Sequence, residues 1–350
     1  MDGRPRPPAG GRFFEDYRLG ETIAHATPRT IGLGERALVT ALYPNRFALD
    51  SADTMATAAG LARSPMDPLT VFHTVFGKTV PDISLNAVAN LGYAEGRFLA
   101  PVWPGDTLAA TSEVVGLRQT GSGRTGIVWV RTTGTNQHGQ PVLSYVRWVM
   151  VRKRDAGAPA PETTVPELAP AVAANDLVVP EGLDFAGWDD ALAGATRRWG
   201  DYAVGEKIDH VDGVVIEEAE HMMATRLWQN TARVHFDPAA RGGEARLVYG
   251  GHVISLARGL SFNGLENAQL VAAINAGTHA APSFAGDTVY AWSEVLESAA
   301  TPVPSVGALR LRLVAVKNRP AADFPHRAED GKGHAEGVVL DLDYWVLMPR

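Results

Sequence analysis

The side chain best suited to proton transfer in this sequence is His235, in the second half of the chain. Histidine has a reference pKa near 6.5, so it can accept or donate a proton close to neutral pH. The chain is internally repeated, and the position equivalent to His235 in the first copy holds Asp50. Because two copies of one fold share the same packing demands, a histidine present in one copy favours a chemical role. A hydrogen-bonded structural histidine stays the alternative, and it is the role we expect for His25 and His210, which occur in both copies.

A pair of glycines, Gly250 and Gly251, opens an apolar segment of helical length at residues 252–260. Glycine lets a ligand approach the backbone closely, and the first amides of a helix have no partner within the helix. Those N–H groups and the positive end of the helix dipole can stabilise an anion. The equivalent segment of the first half begins with Pro65, Pro68 and Leu69 and has no glycine pair. Glycine pairs also mark ordinary turns, but the position of this pair after His235 indicates a site for a developing negative charge.

The repeat predicts the elements that position these residues. Residues 16–25 recur as residues 201–210 with six of ten positions identical, and residues 101–114 and 282–295 share a Gly-Asp-Thr and a Ser-Glu-Val triplet. These matches predict two similar domains, at residues 13–152 and 199–350. Residues 153–198 are rich in alanine and proline, which indicates a linker that runs over the surface. Residues 1–12 lack the apolar stretch of a secretion signal and are expected to form a loose arm.

Each half is expected to combine one long apolar helix with several strands. The helices are predicted at residues 69–80 and 252–260. Strands are predicted at residues 107–117, 126–133 and 142–152, and again at 288–296, 309–316 and 338–346. This order is typical of an antiparallel sheet wrapped around a helix, an α+β arrangement and not a series of alternating βαβ units.

The composition excludes several classes of protein. Of the 350 residues, 45% are hydrophobic and 20% are charged, as in ordinary globular proteins. There is no cysteine, which excludes disulfides, thiolate metal sites and cysteine nucleophiles. The net charge is −7 without basic runs, so we expect no nucleic-acid partner. No apolar run approaches the ~20 residues that span a bilayer, so we expect no membrane partner. The histidines show no ligand-type clustering, so we predict no metal. We also predict no other cofactor and a cytoplasmic location.

The residues around His235 resemble those of a known family, the MaoC-like (R)-specific enoyl-CoA hydratases. Three features carry the resemblance: residues 230–237 around the histidine, the glycine pair at 250–251, and the strand entry at 282–288. Longer stretches at residues 71–86, 217–221, 229–236 and 284–294 are similar to members that act on mesaconyl-CoA, and the similarity spans residues 13–350. The resemblance implies a tandem hotdog fold, with a degenerate first half and a catalytic second half that hydrates or dehydrates a CoA thioester.

In this family an aspartate and a histidine five residues apart flank the reacting water, and a glycine N–H at a helix start polarises the thioester. The resemblance gives His235 the histidine role and Gly251 the thioester role, and we expect the amides of Gly250 and Gly251 together to form the oxyanion site. The aspartate position holds Asn230, and an amide cannot act as a general base. We therefore assign His235 as base in hydration and acid in dehydration, with Asn230 orienting water or substrate. If a carboxylate is required, Asp237 comes first, although it is equally a candidate N-cap before a proline. After it come Glu217, Glu218 and Glu220.

Mesaconyl-CoA carries a free carboxylate, for which arginine is the natural bidentate partner. The candidates are Arg233, Arg226, Arg246 and Arg46. The CoA group is expected to cross the interface between the halves, where residues 90–98 of the first half supply binding surface, in particular Asn90, Gly92 and Tyr93. Three alternatives stay open: a hydratase for another acyl chain, a hotdog thioesterase, and an acyl-CoA-binding module without catalysis. Self-association as a homo-oligomer is also left open.

Overall fold

A computed structural model describes residues 10–350. The first half contains the helices α1 (Leu33–Leu42), α2 (Ala48–Ser51), α3 (Asp53–Ala58) and α4 (Pro68–Thr79). Its strands are β1 (Thr22–Ala24), β2 (Arg29–Thr30), β3 (Ala87–Phe98), β4 (Thr107–Gln119), β5 (Thr125–Thr135) and β6 (Pro141–Arg152). The second half contains the helices α5 (Glu218–Leu227) and α6 (Gly250–Leu260). Its strands are β7 (Lys207–Asp209), β8 (Val214–Val215), β9 (Leu270–Thr278), β10 (Thr288–Ala300), β11 (Val306–Lys317) and β12 (Val338–Pro349).

The strands form one continuous antiparallel sheet in the order β1-β4-β5-β6-β3-β9-β12-β11-β10-β7, with β2 beside β4 and β8 beside β10. The order of the second half mirrors that of the first. The halves meet where β3 pairs with β9, with Tyr93 opposite Gly277 and Ala94 opposite Ala276. Each half wraps its part of the sheet around one long helix, α4 or α6. This is the tandem hotdog arrangement that the family resemblance implies.

The two central helices form because their sequences suit complete burial. All twelve residues of α4 are buried, and the carboxylate of Asp67 caps the helix by accepting a hydrogen bond from the amide of Thr70 at 3.0 Å. Pro68 occupies the first turn, where its missing N–H has no cost. The two helices contact each other through His73 and Ser255, whose Nε2 and Oγ atoms lie 2.9 Å apart. The core is therefore continuous between the halves.

The six predicted strands and both long helices are present, with ends that differ by a few residues. Strands β3 and β9 were not predicted as strands. The structural role expected for the repeated histidines is confirmed: Nε2 of His25 lies 2.7 Å from Oγ of Ser112, and Nε2 of His210 lies 2.8 Å from Oγ of Ser293. In both halves the histidine thus ties the first strand to the long strand beside it.

The segment at residues 153–198 runs over the sheet but is anchored in it. Leu183, Phe185 and Trp188 are buried together with Trp345 of β12, and the indole N–H of Trp345 donates to the carbonyl of Val172 at 2.9 Å. These apolar side chains make the segment an extra layer on the outer face. The division into two domains and a linker stays a prediction.

The expected loose arm lies partly outside the described residues, because residues 1–9 are not among them. Its last residues are packed: the side-chain amide of Asn86 donates to the carbonyls of Gly10 and Arg12, and Arg12 forms an ion pair with Glu21 at 2.8 Å. The arm prediction is therefore wrong for residues 10–12. Among the described residues, no helix combines the length and the apolar character needed to cross a bilayer.

Candidate active site

A cleft of about 430 Å³ opens between the two halves at the start of α6. The first half contributes the end of α4, β3 and β6, and the second half contributes the segment before α6 and the chain after β9. The polar side chains that line the cleft are Ser84, Asn90, Tyr93, Arg147, Asn230, His235, Tyr249, His279 and Ser283. No aspartate or glutamate of the described residues lines it. The lining side chains whose reference pKa is nearest to neutral are therefore the imidazoles of His235 and His279.

His235 ends a short 3₁₀ turn (Arg233–His235) and is almost fully buried. Its Nδ1 lies 2.8 Å from the carbonyl oxygen of Leu247. Because a carbonyl only accepts hydrogen bonds, Nδ1 carries the proton and Nε2 keeps a lone pair. Nε2 has no hydrogen-bond partner within residues 10–350. Burial lowers the pKa of His235 to about 4, and the hydrogen bond to Leu247 offsets only part of that effect. His235 is therefore a neutral base at neutral pH.

The glycine pair forms the start of α6, directly beside the cleft. The amides of Gly250 and Gly251 have no acceptor in the described part of the chain, and Gly250 is part of the cleft wall. A Cβ atom at Gly250 would lie 2.4 Å from Cε1 of His279, and one at Gly251 would lie 2.5 Å from the ring of Tyr249. A side chain at either position would therefore displace a neighbouring ring, and the helix start has two N–H groups without an acceptor among the described residues, with Gly250 in the cleft wall.

A second imidazole, His279, lies in the cleft and was not predicted. It follows β9, and its Nε2 lies 3.2 Å from the hydroxyl of Tyr93 on β3. Burial lowers the pKa of His279 to about 4, and the nearby His235 lowers it further. The repeat held a signal for this residue, since its counterpart in the first half is Phe98 and the histidine occurs in one copy only.

Of the residues predicted as binding surface at positions 90–98, Asn90 and Tyr93 line the cleft. A bulge in β3 between Asn90 and Gly92 shifts the register against β6, so Asn90 and Tyr93 both face the cleft. Both side-chain atoms of the Asn90 amide are buried without a hydrogen-bond partner in the described chain. Gly92 does not line the cleft, and a Cβ at this position would lie 2.4 Å from the ring of Trp148.

Asn230 reaches the cleft, whereas the carboxylates named as alternatives do not. Its Oδ1 accepts a hydrogen bond from the amide of Ala232 at 3.0 Å, and its Nδ2 is left for a ligand. The catalytic assignment of Asp237 is contradicted by its position: it is exposed and caps a 3₁₀ turn by accepting from the amide of Ala239 at 2.9 Å. The three glutamates lie at or beside the start of α5, away from the cleft lining: Glu217, Glu218 and Glu220.

The four arginines predicted for the substrate carboxylate all lie outside the cleft. Arg233, Arg226 and Arg46 are exposed, and Arg246 forms an ion pair with Glu218. The arginine that lines the cleft is Arg147 on β6. The sequence held a signal for it: a charge interrupts the apolar strand that follows Tyr145, whereas the matching strand after Tyr344 is uncharged as far as Met348.

At the counterpart of the site in the first half, Asp50 lines only a small cavity. Asp50, the equivalent of His235, lies in a separate cavity of about 10 Å³ with Asn45, Asp67 and Arg258. That volume holds roughly one water molecule. Burial raises the pKa of Asp50 to about 8, and the neighbouring Asp67 raises it further. This geometry supports the prediction that the chemistry belongs to the second half.

The prediction that the histidines do not cluster is wrong. Nε2 of His326 and Nε2 of His334 lie 2.8 Å and 3.0 Å from the same carboxylate oxygen of Asp341. Arg312 and Arg327 also approach this carboxylate, at 3.5 Å and 3.6 Å. Two guanidinium groups beside the carboxylate disfavour a metal cation there, so the cluster is best described as a hydrogen-bond network.

Two curated relatives match nearly the whole chain. A protein named mesaconyl-CoA hydratase from Cereibacter sphaeroides is 69% identical over 340 residues, which cover 97% of this chain and 98% of that protein. A protein named beta-methylmalyl-CoA dehydratase from Chloroflexus aurantiacus is 62% identical over 344 residues, 97% of each chain.

The structure of a MaoC domain protein from Chloroflexus aurantiacus J-10-fl agrees with this result. It superposes with a TM-score of 0.94 at 60% sequence identity, covering 100% of this chain and 99% of that one. Residues 4–326 match the family described as mesaconyl-CoA hydratase. The chain therefore belongs to the mesaconyl-CoA hydratase family, a branch of the MaoC-like proteins of hotdog fold.

Proposed function

We propose that this protein catalyses the reversible hydration of mesaconyl-CoA to β-methylmalyl-CoA, with His235 as the general base. The observation that carries the proposal is the state of that imidazole. Its Nδ1 proton is held by Leu247, its Nε2 lone pair is unpaired within the described chain, and no carboxylate there lines the cleft. The names and the high identity of the two relatives supply the substrate.

The reaction can run with a single proton carrier. In hydration, Nε2 of His235 takes a proton from water as the hydroxide adds to the β-carbon of the enoyl thioester. Negative charge then develops on the thioester oxygen, which the free amides of Gly250 and Gly251 stabilise. The imidazolium returns its proton to the α-carbon, so the enzyme ends in its starting state. Dehydration follows the same steps in reverse.

Asn230 and the pair of Tyr93 and His279 position the reactants in this scheme. The Nδ2 group of Asn230 is a donor only, so it can hold the oxygen of the attacking water while His235 removes the proton. This arrangement explains how an amide can replace the aspartate that the family resemblance leads one to expect. Tyr93 holds the ring of His279 against Gly250, and this contact shapes the wall beside the helix start.

The test is a hydration assay with mesaconyl-CoA on the wild type, His235→Ala and the control His138→Ala. His138 lies on an exposed turn and should leave the rate unchanged. Loss of the base should lower kcat by about 10²–10⁴-fold, the usual contribution of general base catalysis. The conjugated enoyl absorbance reports the rate, and mass spectrometry of the product should show a hydrated acyl group still esterified to CoA.

Other outcomes would contradict the proposal in distinguishable ways. Turnover of crotonyl-CoA without turnover of mesaconyl-CoA would identify a hydratase for another acyl chain. Release of free CoA would identify a thioesterase. Binding of both thioesters without turnover would identify a binding module. A homo-oligomeric state and a cytoplasmic location stay predictions that this assay does not address.

A further inference from the structure

Arg147 is a fully buried cationic side chain of the cleft, and part of its hydrogen-bonding capacity is unused. Its guanidinium group stacks on Phe76, with Cζ 4.2 Å from the ring centroid. One Nη2 hydrogen bond goes to Oγ1 of Thr79 at 2.7 Å and a longer one goes to Oγ of Ser84 at 3.5 Å. Its Nε and Nη1 atoms are buried and have no partner among the described residues. Two of the three nitrogens therefore lack an acceptor.

The positive charge of Arg147 is not balanced by the protein. No aspartate or glutamate within residues 10–350 forms an ion pair with it, and the buried Asp82 is instead hydrogen-bonded to Nδ1 of His25 at 2.8 Å. Burial lowers the pKa of Arg147, but a guanidinium group keeps its proton at neutral pH. A buried, unpaired charge is strongly unfavourable. A residue of this kind is expected where a ligand brings the missing anion.

The surroundings of Arg147 favour a small anion that arrives with the acyl group. Asn90, on the neighbouring strand β3, lines the same cleft with an unpaired Nδ2 donor. Successive ring contacts connect Arg147 with His235 along the cleft: the rings of Phe76 and Tyr249 are 5.9 Å apart, and the ring of Tyr249 is 5.8 Å from that of His235. The phosphates of CoA are separated from the thioester by the long pantetheine arm, so they belong at the mouth of the cleft.

We infer that Arg147 binds the free carboxylate of the dicarboxylic acyl group and makes the site select it over neutral acyl chains. This inference rests on the proposed function, since it concerns the substrate of the same cleft. The carboxylate accepts two hydrogen bonds from the Nε and Nη1 edge of the guanidinium group, a bidentate geometry that arginine favours. The first half thus contributes substrate selection, and the second half contributes the proton carrier.

The test compares two thioesters that differ at one group. Tiglyl-CoA has a methyl group in place of the free carboxylate of mesaconyl-CoA and the same CoA group. We would measure kcat/KM for both substrates with the wild type, Arg147→Gln and Arg131→Gln. Arg131 lies on the adjacent strand β5, outside the cleft, in an ion pair with Glu95, so its variant is the control. We expect Arg147→Gln to lose about 10²-fold with mesaconyl-CoA and less than about threefold with tiglyl-CoA.

The outcomes separate this inference from the proposed function. The inference is wrong if the wild type hydrates mesaconyl-CoA and Arg147→Gln lowers kcat/KM equally for both substrates. Arg147 would then bind the CoA group or stabilise the fold. If the variant keeps its activity on mesaconyl-CoA, the inference is also wrong. If the wild type hydrates neither mesaconyl-CoA nor tiglyl-CoA, the proposed function itself fails.

A measurement on the wild type covers the case in which Arg147→Gln does not fold. Methylsuccinyl-CoA and 2-methylbutyryl-CoA are saturated analogues that differ in the same carboxylate. If Arg147 binds that carboxylate, methylsuccinyl-CoA should inhibit at a concentration at least about 30-fold lower than 2-methylbutyryl-CoA does. Equal inhibition by the two analogues would overturn the inference without any variant.

Discussion

Replacing Gly250 with alanine should slow hydration of mesaconyl-CoA by about 10²-fold and leave the chain folded. The added Cβ would lie 2.4 Å from Cε1 and 2.6 Å from Nε2 of His279, whereas ordinary van der Waals contact begins at 3.4 Å. The imidazole or the helix start must therefore move by about 1 Å. A displacement of that size in a reacting geometry lowers the rate by about 10²-fold, and loss of one oxyanion donor lowers it by about 10²–10³-fold.

The same change should have a modest effect on stability. Overpacking of this kind costs about 1–3 kcal/mol, and replacing glycine by alanine in a helix returns up to about 1 kcal/mol. The net loss of about 0–3 kcal/mol is below the roughly 5–15 kcal/mol that stabilises a folded domain. Urea unfolding followed by tryptophan fluorescence would give this number, and decay of the enoyl-thioester absorbance would give the rate.

Gly34→Ala is the matched control for Gly250→Ala. Gly34 lies in the first turn of α1, and a Cβ there would have no atom within 4 Å. This variant should keep the wild-type rate and gain up to about 1 kcal/mol in stability. If Gly250→Ala also hydrated mesaconyl-CoA at the wild-type rate, neither the helix-start amides nor His279 would lie at the reacting thioester, and the assignment of the site would be refuted.

Further predictions concern pH, a cap and the connecting segment. Because burial lowers the pKa of His235 to about 4, kcat/KM should stay level from neutral pH to about pH 5 and fall near pH 4. A fall of kcat/KM already near pH 6.5 would contradict a buried neutral base. Five histidines have a pKa lowered to about 3 or 4: His73, His210, His235, His252 and His279. Below about pH 6.5 they bind protons in the unfolded chain but not in the native one, so the free energy of unfolding should fall with falling pH, by up to about 1.4 kcal/mol per histidine per pH unit. The opposite trend in denaturant titrations between pH 7.5 and 5 would show that burial does not control these groups. Two buried carboxyl groups oppose the trend, because burial raises the pKa of Asp50 to about 8 and also raises the pKa of Asp67. Asp237→Ala should cost about 0.5–2 kcal/mol of stability through loss of the cap and leave kcat unchanged. A large fall in kcat would instead make Asp237 a candidate catalytic residue. Phe185→Ala should cost about 3–5 kcal/mol, whereas Leu192→Ala, at a residue 75% exposed, should stay within about 0.5 kcal/mol; equal costs in thermal unfolding would mean that the segment is not anchored.

The parts of the fold that the sequence could predict are those in which one copy of the repeat supports the other. Residues 107–117 and 288–296 have the same alternating pattern and the same Ser-Glu-Val triplet, so strands β4 and β10 could be predicted with their entry turns. The strands that join the halves, β3 and β9, were missed. Their residues are rich in alanine, glycine and asparagine, and bulges interrupt the register of β3. Sequence alternation does not reveal a bulge before the partner strand is known.

The candidate site shows the same limit. His235 and the glycine pair could be found because they lie near each other in sequence and differ from their counterparts in the first half. Arg147 could not be placed there, since it comes from the other half and reaches the cleft through the pairing of β6 with β3. Sequence reasoning in general favours arginines on exposed segments, because long charged side chains are rarely buried without a partner. That preference fails where the partner is expected to be the substrate.

The junction between β3 and β9 has a consequence for how the two halves can diverge. In a symmetric dimer of identical subunits, one mutation appears twice, so a buried arginine that helps one site would also place a second uncompensated charge in the other. A single chain escapes this coupling. Arg147 can occupy β6 while its counterpart on β12, counted from the shared tyrosines, remains Val346. Covalent linkage thus permits a division of labour that a homodimer of the same fold cannot encode.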